Sequence, residues 1–329
     1  MTLAIVGGGS WGTALAIVLA GRFHRVCLWV HNPELAEQIS QLRENRQYLP
    51  GIPVPSNVCP TSDIPSAVSG ADLVLTVVPS RFLRGAVQSL MPHLRKGTSF
   101  VSATKGIEPG TLARMSEVIR DVAGASTHVA VLSGPTFARE VAEGHPAAVV
   151  IAADSESFAR HIQQQFSGPS FRLYTNNDTV GVEIGAALKN VIAIGAGIVS
   201  GSGLGSNTVA ALVTRGLAEI TRLAVAAGGE QSTLAGLAGL GDLLLTCTGE
   251  LSRNRRVGIQ LAEGRTLEEA IASGIGIAEG VDTTAAALAL ARRLGVEMPI
   301  TEQMDLVLRE RKPPREAIRH LMDRRLRRE

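Results

Sequence analysis

Residues 2–16 read TLAIVGGGSWGTALA. A short apolar run, Leu3–Val6, ends in glycines, and Thr13–Ala20 then reads as helix. Val26–Val30 (VCLWV) returns to the pattern of a buried strand. Strand, glycine turn, helix and strand in that order open a β-α-β unit. Within the turn, Gly7, Gly9 and Gly12 have the spacing G-x-G-x-x-G. That spacing is a weak signal alone and gains its meaning from following a strand and opening a helix. Gly7 then allows the tight turn, Gly9 lets backbone approach a pyrophosphate, and Gly12 lets helix and strand pack closely. The helix N-terminus adds free N–H groups and a partial positive charge for the anion.

The alternation continues downstream. Asp72–Val78 (DLVLTVV) is a strand closed by Pro79, Arg84–Leu94 a helix, Ser99–Ala103 a strand and Leu112–Val122 a helix. Val129–Leu132 and Ala147–Ala152 read as further strands. Such alternation predicts a mostly parallel, doubly wound sheet with helices on both faces. From Val182 strand signals nearly vanish, and Ile184–Val199, Val209–Ala227, Leu267–Ser273, Thr283–Leu294 and Ile300–Arg309 all read as helices. The expected fold is therefore an α/β Rossmann-type domain over 1–180 and an all-α domain over 181–329. The boundary falls between Asn177 and Gly185, and a ligand is expected in the cleft between the halves.

Composition narrows the class. Of 329 residues, 45% are hydrophobic but only 3% aromatic, so the cores must be aliphatic and closely packed. A net charge of +2 gives no global field for nucleic acid. Cys27, Cys59 and Cys247 are far apart with no C-x-x-C, which suggests neither a zinc ribbon nor a redox dithiol. A sparse, odd cysteine count fits a reducing compartment, here the cytoplasm. The N-terminus lacks a basic region, and no uninterrupted apolar run reaches ~18 residues, so neither a signal peptide nor a transmembrane helix is expected. The seven histidines are scattered without metal-ligand spacing, so no metal is expected.

Individual residues then suggest chemistry. About 20 residues beyond the glycines, strict NAD enzymes often carry a carboxylate for the ribose 2′-hydroxyl. This chain has His31-Asn32 there, so NADP should be accepted alongside NAD. Lys105 follows a strand at the edge where such sheets bind ligands, and suits a phosphate or a carbonyl; a solvated loop lysine is the other reading. Lys189 sits in EIGAALKNVIAIGAGIV (Glu183–Val199), where a lysine needs a partner or a polar pocket. Nearby cations would lower its pKa from ~10.4 and suit it to proton transfer; a lysine snorkelling from a half-exposed helix is the alternative. Asp242, among glycines and leucines in a polar loop, is the obvious partner. Ser252-Arg253-Asn254-Arg255-Arg256 offers dense donors for an anion, or else a solvated basic helix start.

Together these stretches closely resemble the bacterial NAD(P)-dependent glycerol-3-phosphate dehydrogenases along almost the whole chain. The resemblance runs through GGGSWGTALA (Gly7–Ala16), NRQYLPGI (Asn45–Ile52), VVPS (Val77–Ser80), TKGIE (Thr104–Glu108) and LSGPTFAREV (Leu132–Val141). It continues in GAALKNVIAIGAGI (Gly185–Ile198), LVTRGLAEITRL (Leu212–Leu223), GLAGLGDLLLTCTGELSRNRR (Gly236–Arg256) and MPITE (Met298–Glu302). It implies reversible reduction of dihydroxyacetone phosphate to sn-glycerol 3-phosphate, supplying the glycerophospholipid backbone. The helical domain would be like the C-terminal domain of 6-phosphogluconate dehydrogenases, and the assembly a homodimer. Lys189 would be the proton donor and acceptor. Lys105, Gly134, Thr136, Asp242, Ser252, Arg253 and Asn254 would surround the substrate with it. Ser10, Trp11, His31, Tyr48, Lys105, Ala138, Arg253, Ile277 and Glu279 would contact the dinucleotide, with the three turn glycines. GSGLGSN (Gly201–Asn207) departs from the family at Ser202 and Ser206, which puts only that loop in doubt.

Two alternatives stay open. A 6-phosphogluconate- or hydroxyisobutyrate-type dehydrogenase would share the two domains and the lysine. A non-catalytic dinucleotide sensor would need the glycine turn but not Lys189 with Asp242. Short-chain dehydrogenases are disfavoured because Y-x-x-x-K is absent. The arginine-rich end, Arg309–Glu329, reads as a solvated or subunit-facing helix rather than a lipid contact, and no stable membrane insertion is expected.

Overall fold

The computed structural model describes residues 1–275 and 278–325. The chain forms two compact units: Met1–Lys105 with Ala113–Val182, and Gly106–Leu112 with the chain from Glu183 onward.

The first unit is built on ten strands: β1 (Thr2–Val6), β2 (Arg25–Trp29), β3 (Glu44–Asn45), β4 (Leu49–Pro53), β5 (Val58–Thr61), β6 (Leu73–Thr76), β7 (Ser99–Ser102), β8 (Val129–Ser133), β9 (Ala147–Ala152) and β10 (Phe171–Asn176). β3 and β4 pair as a small antiparallel hairpin. The other eight form one sheet in the order β5-β2-β1-β6-β7-β8-β9-β10. Neighbours are parallel except β8 and β9, so β9 and β10 run against the rest. Strand order reverses at β1, which opens a crevice at its carboxyl end, where the glycine turn begins.

Period-two alternation splits the apolar residues between two faces. Leu3 and Ile5 point to one core with Leu15, Leu19, Val26, Leu28, Ile162 and Phe166. Ala4 and Val6 point to the other with Val74, Leu83, Val87, Phe100, Val118 and Ile119. Both cores are aliphatic-rich and helix-covered, as the low aromatic content requires.

Local chemistry moves some predicted boundaries. The predicted helix Leu112–Val122 begins only at Met115, because Leu112 takes a left-handed φ of 61° and Glu117 reaches back to accept the Arg114 amide at 2.8 Å. The run Arg84–Leu94 is α-helical over Leu83–Leu90 and tightens to a 3₁₀ turn at Met91–His93. Cys27 and Cys59, distant in sequence, lie opposite one another on β2 and β5. Sheet register thus brings together two cysteines that are far apart in sequence.

Among its described residues the second unit has no strand. Its central helix, Thr179–Gly201, starts in the first unit and is long and apolar enough to cross a bilayer, yet its most apolar window is wholly buried in the protein. Glycine lets neighbours approach it. A Cβ on Gly258 of helix Arg253–Ala262 would strike the carbonyl of Ile194, and one on Gly197 would strike that of Arg255. A Cβ on Gly185 would sit 3.1 Å from the Ala238 carbonyl oxygen. The chain then continues through helix Glu279–Leu294, helix Pro299–Arg309 and helix Pro314–Met322. Arg327 and Arg328 lie outside the described residues.

Helix Pro299–Arg309 is capped from a distance. Glu219, on helix Ser206–Ala226, accepts the amides of Ile300 and Thr301 and the Thr301 hydroxyl. Burial outweighs these donors and pushes its carboxyl from 4.5 up to about 7. The folded chain thus holds this proton more tightly than the unfolded chain, so the contribution of Glu219 to stability is fully present below the ordinary carboxylate range and is lost as pH rises through about 7. Glu219→Gln cannot ionise. Its melting temperature relative to the parent should rise between about pH 5 and 8, and a pH-independent difference would contradict this assignment.

Candidate active site

In the first unit the site begins where β1 ends. Gly7 has φ 129°, and a Cβ there would fall 2.5 Å from the Val77 carbonyl oxygen. A Cβ on Gly12 would strike the carbonyl of Gly7 itself. Gly9 is different: its backbone is extended (φ −74°, ψ −176°) and no atom lies within 4 Å of its Cβ position. It precedes helix Ser10–Ala20, whose N-terminus has no side-chain cap. Uncapped amides beside open space fit a phosphate-bearing dinucleotide. The hairpin braces this turn: Asn45 Nδ2 donates to the Gly8 carbonyl at 3.0 Å and to Thr13 Oγ1 at 2.8 Å.

In the second unit Lys189 emerges from the buried face of Thr179–Gly201 and is only 5% exposed. Its ammonium donates to Asp242 Oδ1, and to Thr246 Oγ1 at 3.0 Å. Asp242 is 0% exposed and opens helix Asp242–Thr248 after a π-type turn, Leu237–Gly241. Within that turn a Cβ on Gly239 would strike the carbonyl of Leu234. Thr246 sits one helical turn after Asp242 and donates to the Asp242 carbonyl at 2.6 Å. Cys247 beside it is pushed up to about 12 by burial, so its thiol stays protonated and is no nucleophile.

The next residue, Asn190, is also buried. Asn254 Nδ2 donates to Asn190 Oδ1 at 3.0 Å, and Asn254 Oδ1 accepts the Gly280 amide at 3.0 Å. Ser252 is buried and caps helix Arg253–Ala262 by accepting the Arg255 amide at 3.2 Å. This arrangement can hold a proton donor next to a compensating carboxylate, with polar and basic groups at a nearby helix start.

Two family models match the chain: the N-terminal part of NAD-dependent glycerol-3-phosphate dehydrogenase over residues 2–159, and its C-terminal part over 178–319. The chain belongs to this dehydrogenase family. Glycerol-3-phosphate dehydrogenase [NAD(P)+] of Koribacter versatilis is 54% identical over 326 residues, covering 98% of this chain and 97% of that protein. The crystal structure of glycerol-3-phosphate dehydrogenase (gpsA) from Coxiella burnetii is 40% identical with a TM-score of 0.95, covering 98% of this chain and 99% of that one. A ketopantoate reductase from Ralstonia eutropha shares the fold alone, at 19% identity and a TM-score of 0.60 over 97% of this chain and all of that one. The Rossmann-type α/β unit and the all-helical unit are those of the glycerol-3-phosphate dehydrogenase family.

The residues singled out in the sequence fall into two groups. Gly7, Gly9, Gly12, Ser10 and Trp11 share the glycine turn and the helix it opens. His31 follows β2, exposed, with the Trp29 ring 5.7 Å away; Asn32 is occupied capping the next helix. Tyr48 is exposed on the β3–β4 hairpin, and Lys105 follows β7. Gly134 follows β8 with φ 146°, Thr136 Oγ1 donates to its carbonyl at 3.2 Å, and Ala138 starts the next helix and, like Trp11, packs on Ala14, Leu49 and Ile52. Lys189, Asp242, Ser252, Arg253, Asn254 and Glu279 lie in the second unit, Glu279 at the start of helix Glu279–Leu294. Ile277 lies outside the described residues.

The side chains of Ser252–Arg256 differ in exposure. Successive helical residues diverge, so Arg253 is exposed, Asn254 turns to Asn190, and Arg255 Nη2 reaches Ser200 Oγ at 3.4 Å. Thr246 and Asn45 were missed. The i, i+4 spacing of Thr246 from Asp242 signals a shared face only once a helix is recognised there. Among the described residues no cluster of three or more His, Cys, Asp or Glu is placed to hold a metal.

Gly9 offers a clean test. Ala is sterically free there in the protein alone, so Gly9→Ala should stay folded and lose no more than about 1 kcal/mol, the cost of a poorer helix N-cap. It should weaken NADPH binding by roughly tenfold or more, because backbone must approach the pyrophosphate at this position. Unchanged affinity by titration calorimetry would remove Gly9 from the cradle.

Proposed function

We propose that this chain catalyses reversible NAD(P)H-dependent reduction of dihydroxyacetone phosphate to sn-glycerol 3-phosphate. The observation that carries the reading is the buried Lys189 ammonium held by Asp242 and Thr246 in a chain of this family. When bound, the nicotinamide cofactor supplies hydride to C2 of the ketone. Lys189 donates the proton to the carbonyl oxygen as negative charge builds there. Asp242 orients the ammonium and keeps its charge compensated, while Thr246 fixes the direction of one N–H. Lys105 adds electrostatic stabilisation at that oxygen. Arg253, Asn254 and Ser252 grip the phosphate, and Gly134 with Thr136 completes the substrate's surroundings. In the reverse direction Lys189, as the amine, takes the proton from the hydroxyl.

The Gly7–Gly12 turn with Ser10 and Trp11 holds the pyrophosphate, and His31, Tyr48, Lys105, Ala138, Arg253, Ile277 and Glu279 contact the rest of the dinucleotide. His31-Asn32 presents no carboxylate at the adenosine ribose, which supports use of NADP as well as NAD. A cytoplasmic homodimer supplying the glycerophospholipid backbone rests on the family resemblance.

The test is loss of reduced-nicotinamide absorbance with dihydroxyacetone phosphate, run with NADH and with NADPH, using unphosphorylated dihydroxyacetone as the control. Oxidation that requires the phosphate is expected with both cofactors; none with either, from folded protein, overturns the proposal. Lys189→Ala should lower kcat by roughly 10²–10⁴-fold, with circular dichroism confirming fold at the assay temperature. Full turnover in folded Lys189→Ala would remove Lys189 from proton transfer.

A further inference from the structure

Cys27 on β2 and Cys59 on β5 are register partners in a parallel pair. Both are free thiols, Cys27 buried and Cys59 half-buried on the strand that ends the sheet. Their neighbours Val26, Leu28 and Val58 belong to the core on the other face, so alternation puts both cysteines on one face together. Adjacent strands lie about 4.8 Å apart, inside the Cα separation of about 4.4–6.8 Å that a disulfide spans. Arg25 shares that face, two residues before Cys27, and is exposed. Its guanidinium charge stands beside both thiols. Cys59 Sγ also approaches the Asn57 carbonyl oxygen at 3.9 Å. The thiolate is the form that attacks disulfides. Burial raises the Cys27 thiol and the Arg25 charge only partly opposes it, so the less buried Cys59 is the first to react.

We propose that Cys27 and Cys59 are a redox-active cross-strand dithiol that exchanges with small disulfides and closes to an internal disulfide. With oxidised glutathione, the Cys59 thiolate attacks one sulfur, the glutathione S–S bond breaks, and one glutathione thiol leaves with a proton. The Cys27 thiolate then attacks Cys59 Sγ and releases the second glutathione. Two protein thiols are oxidised to one disulfide, and one glutathione disulfide is reduced to two thiols. Cys27 lies on β2 two residues before Trp29, whose indole N–H donates to the Ser62 carbonyl at 3.0 Å beyond the end of β5.

The native protein carries its own control, because Cys247 is buried and its thiol is held protonated. The full chain is incubated with oxidised glutathione, alkylated under native and then denaturing conditions, and weighed intact with peptide mapping. The parent should lose two of its three alkylatable thiols and the mass of two hydrogen atoms, with the new bond joining Cys27 to Cys59. Cys27→Ser should stop with one glutathione on Cys59, and Cys59→Ser should stay unmodified. Dithiothreitol should restore all parent thiols. The proposal is overturned if all three thiols of the folded parent remain alkylatable, or if the parent stops at a glutathione adduct with Cys27 still reduced. These readouts do not depend on dehydrogenase activity.

Discussion

A lysine ammonium buried on an aliphatic helix is the constraint around which the second unit is arranged. Removing an ion from water costs several kcal/mol even after relaxation, and the loss is offset only by close, well-directed partners. Lys189 finds them in Asp242 and Thr246. That requires helix Thr179–Gly201 to lie almost against the turn that delivers Asp242. Gly185 makes the approach possible, since a Cβ there would press on the Ala238 carbonyl, and Gly239 lets the turn itself close against the Leu234 carbonyl. Stability alone does not explain such a pair, because an apolar replacement of similar volume is often as stable. A dehydrogenase that must move a proton at a reacting oxygen does explain it.

The same logic of backbone approach governs the first unit, with a different aim. At Gly7 and Gly12 a side chain would collide with the protein's own carbonyls, so these glycines serve the fold. At Gly9 the space is open, so the glycine there serves what comes from outside. Helix Ser10–Ala20 begins without a side-chain cap at this point, and Asn45 holds the turn from the hairpin side. The strand-order reversal at β1 puts all of this at the sheet's carboxyl edge.

Much of the fold was legible because apolar alternation and glycine spacing are local. β1, β2, β6 and β7 announce themselves as compact apolar runs. β10 (FRLYTN) did not, because only Phe171 and Leu173 are buried, too few positions to show a period among polar residues. The hairpin, with two prolines and a glycine in β4, reads as loop. The segment Gly106–Leu112 belongs to the helical unit although it lies deep in the first half of the chain, and no local signal marks that excursion. In the site, Lys189 and Asp242 stood out because charge among apolar residues demands a partner. Thr246 and Asn45 did not, because a threonine in a leucine run and an asparagine in a loop are unremarkable until the fold brings them to the lysine and the glycine turn. Cys27 and Cys59 make the same point, since sheet register rather than sequence spacing pairs them.

The claim that Asp242 works through Lys189 is tested most directly by a double-mutant cycle on kcat/KM for dihydroxyacetone phosphate. Lys189→Ala, Asp242→Ala and the double variant are compared with the parent, each shown folded by circular dichroism. If the pair is one catalytic unit, the double variant should be no slower than Lys189→Ala alone. Losses that multiply in the double variant would mean the two residues act independently, and would contradict the account of the site.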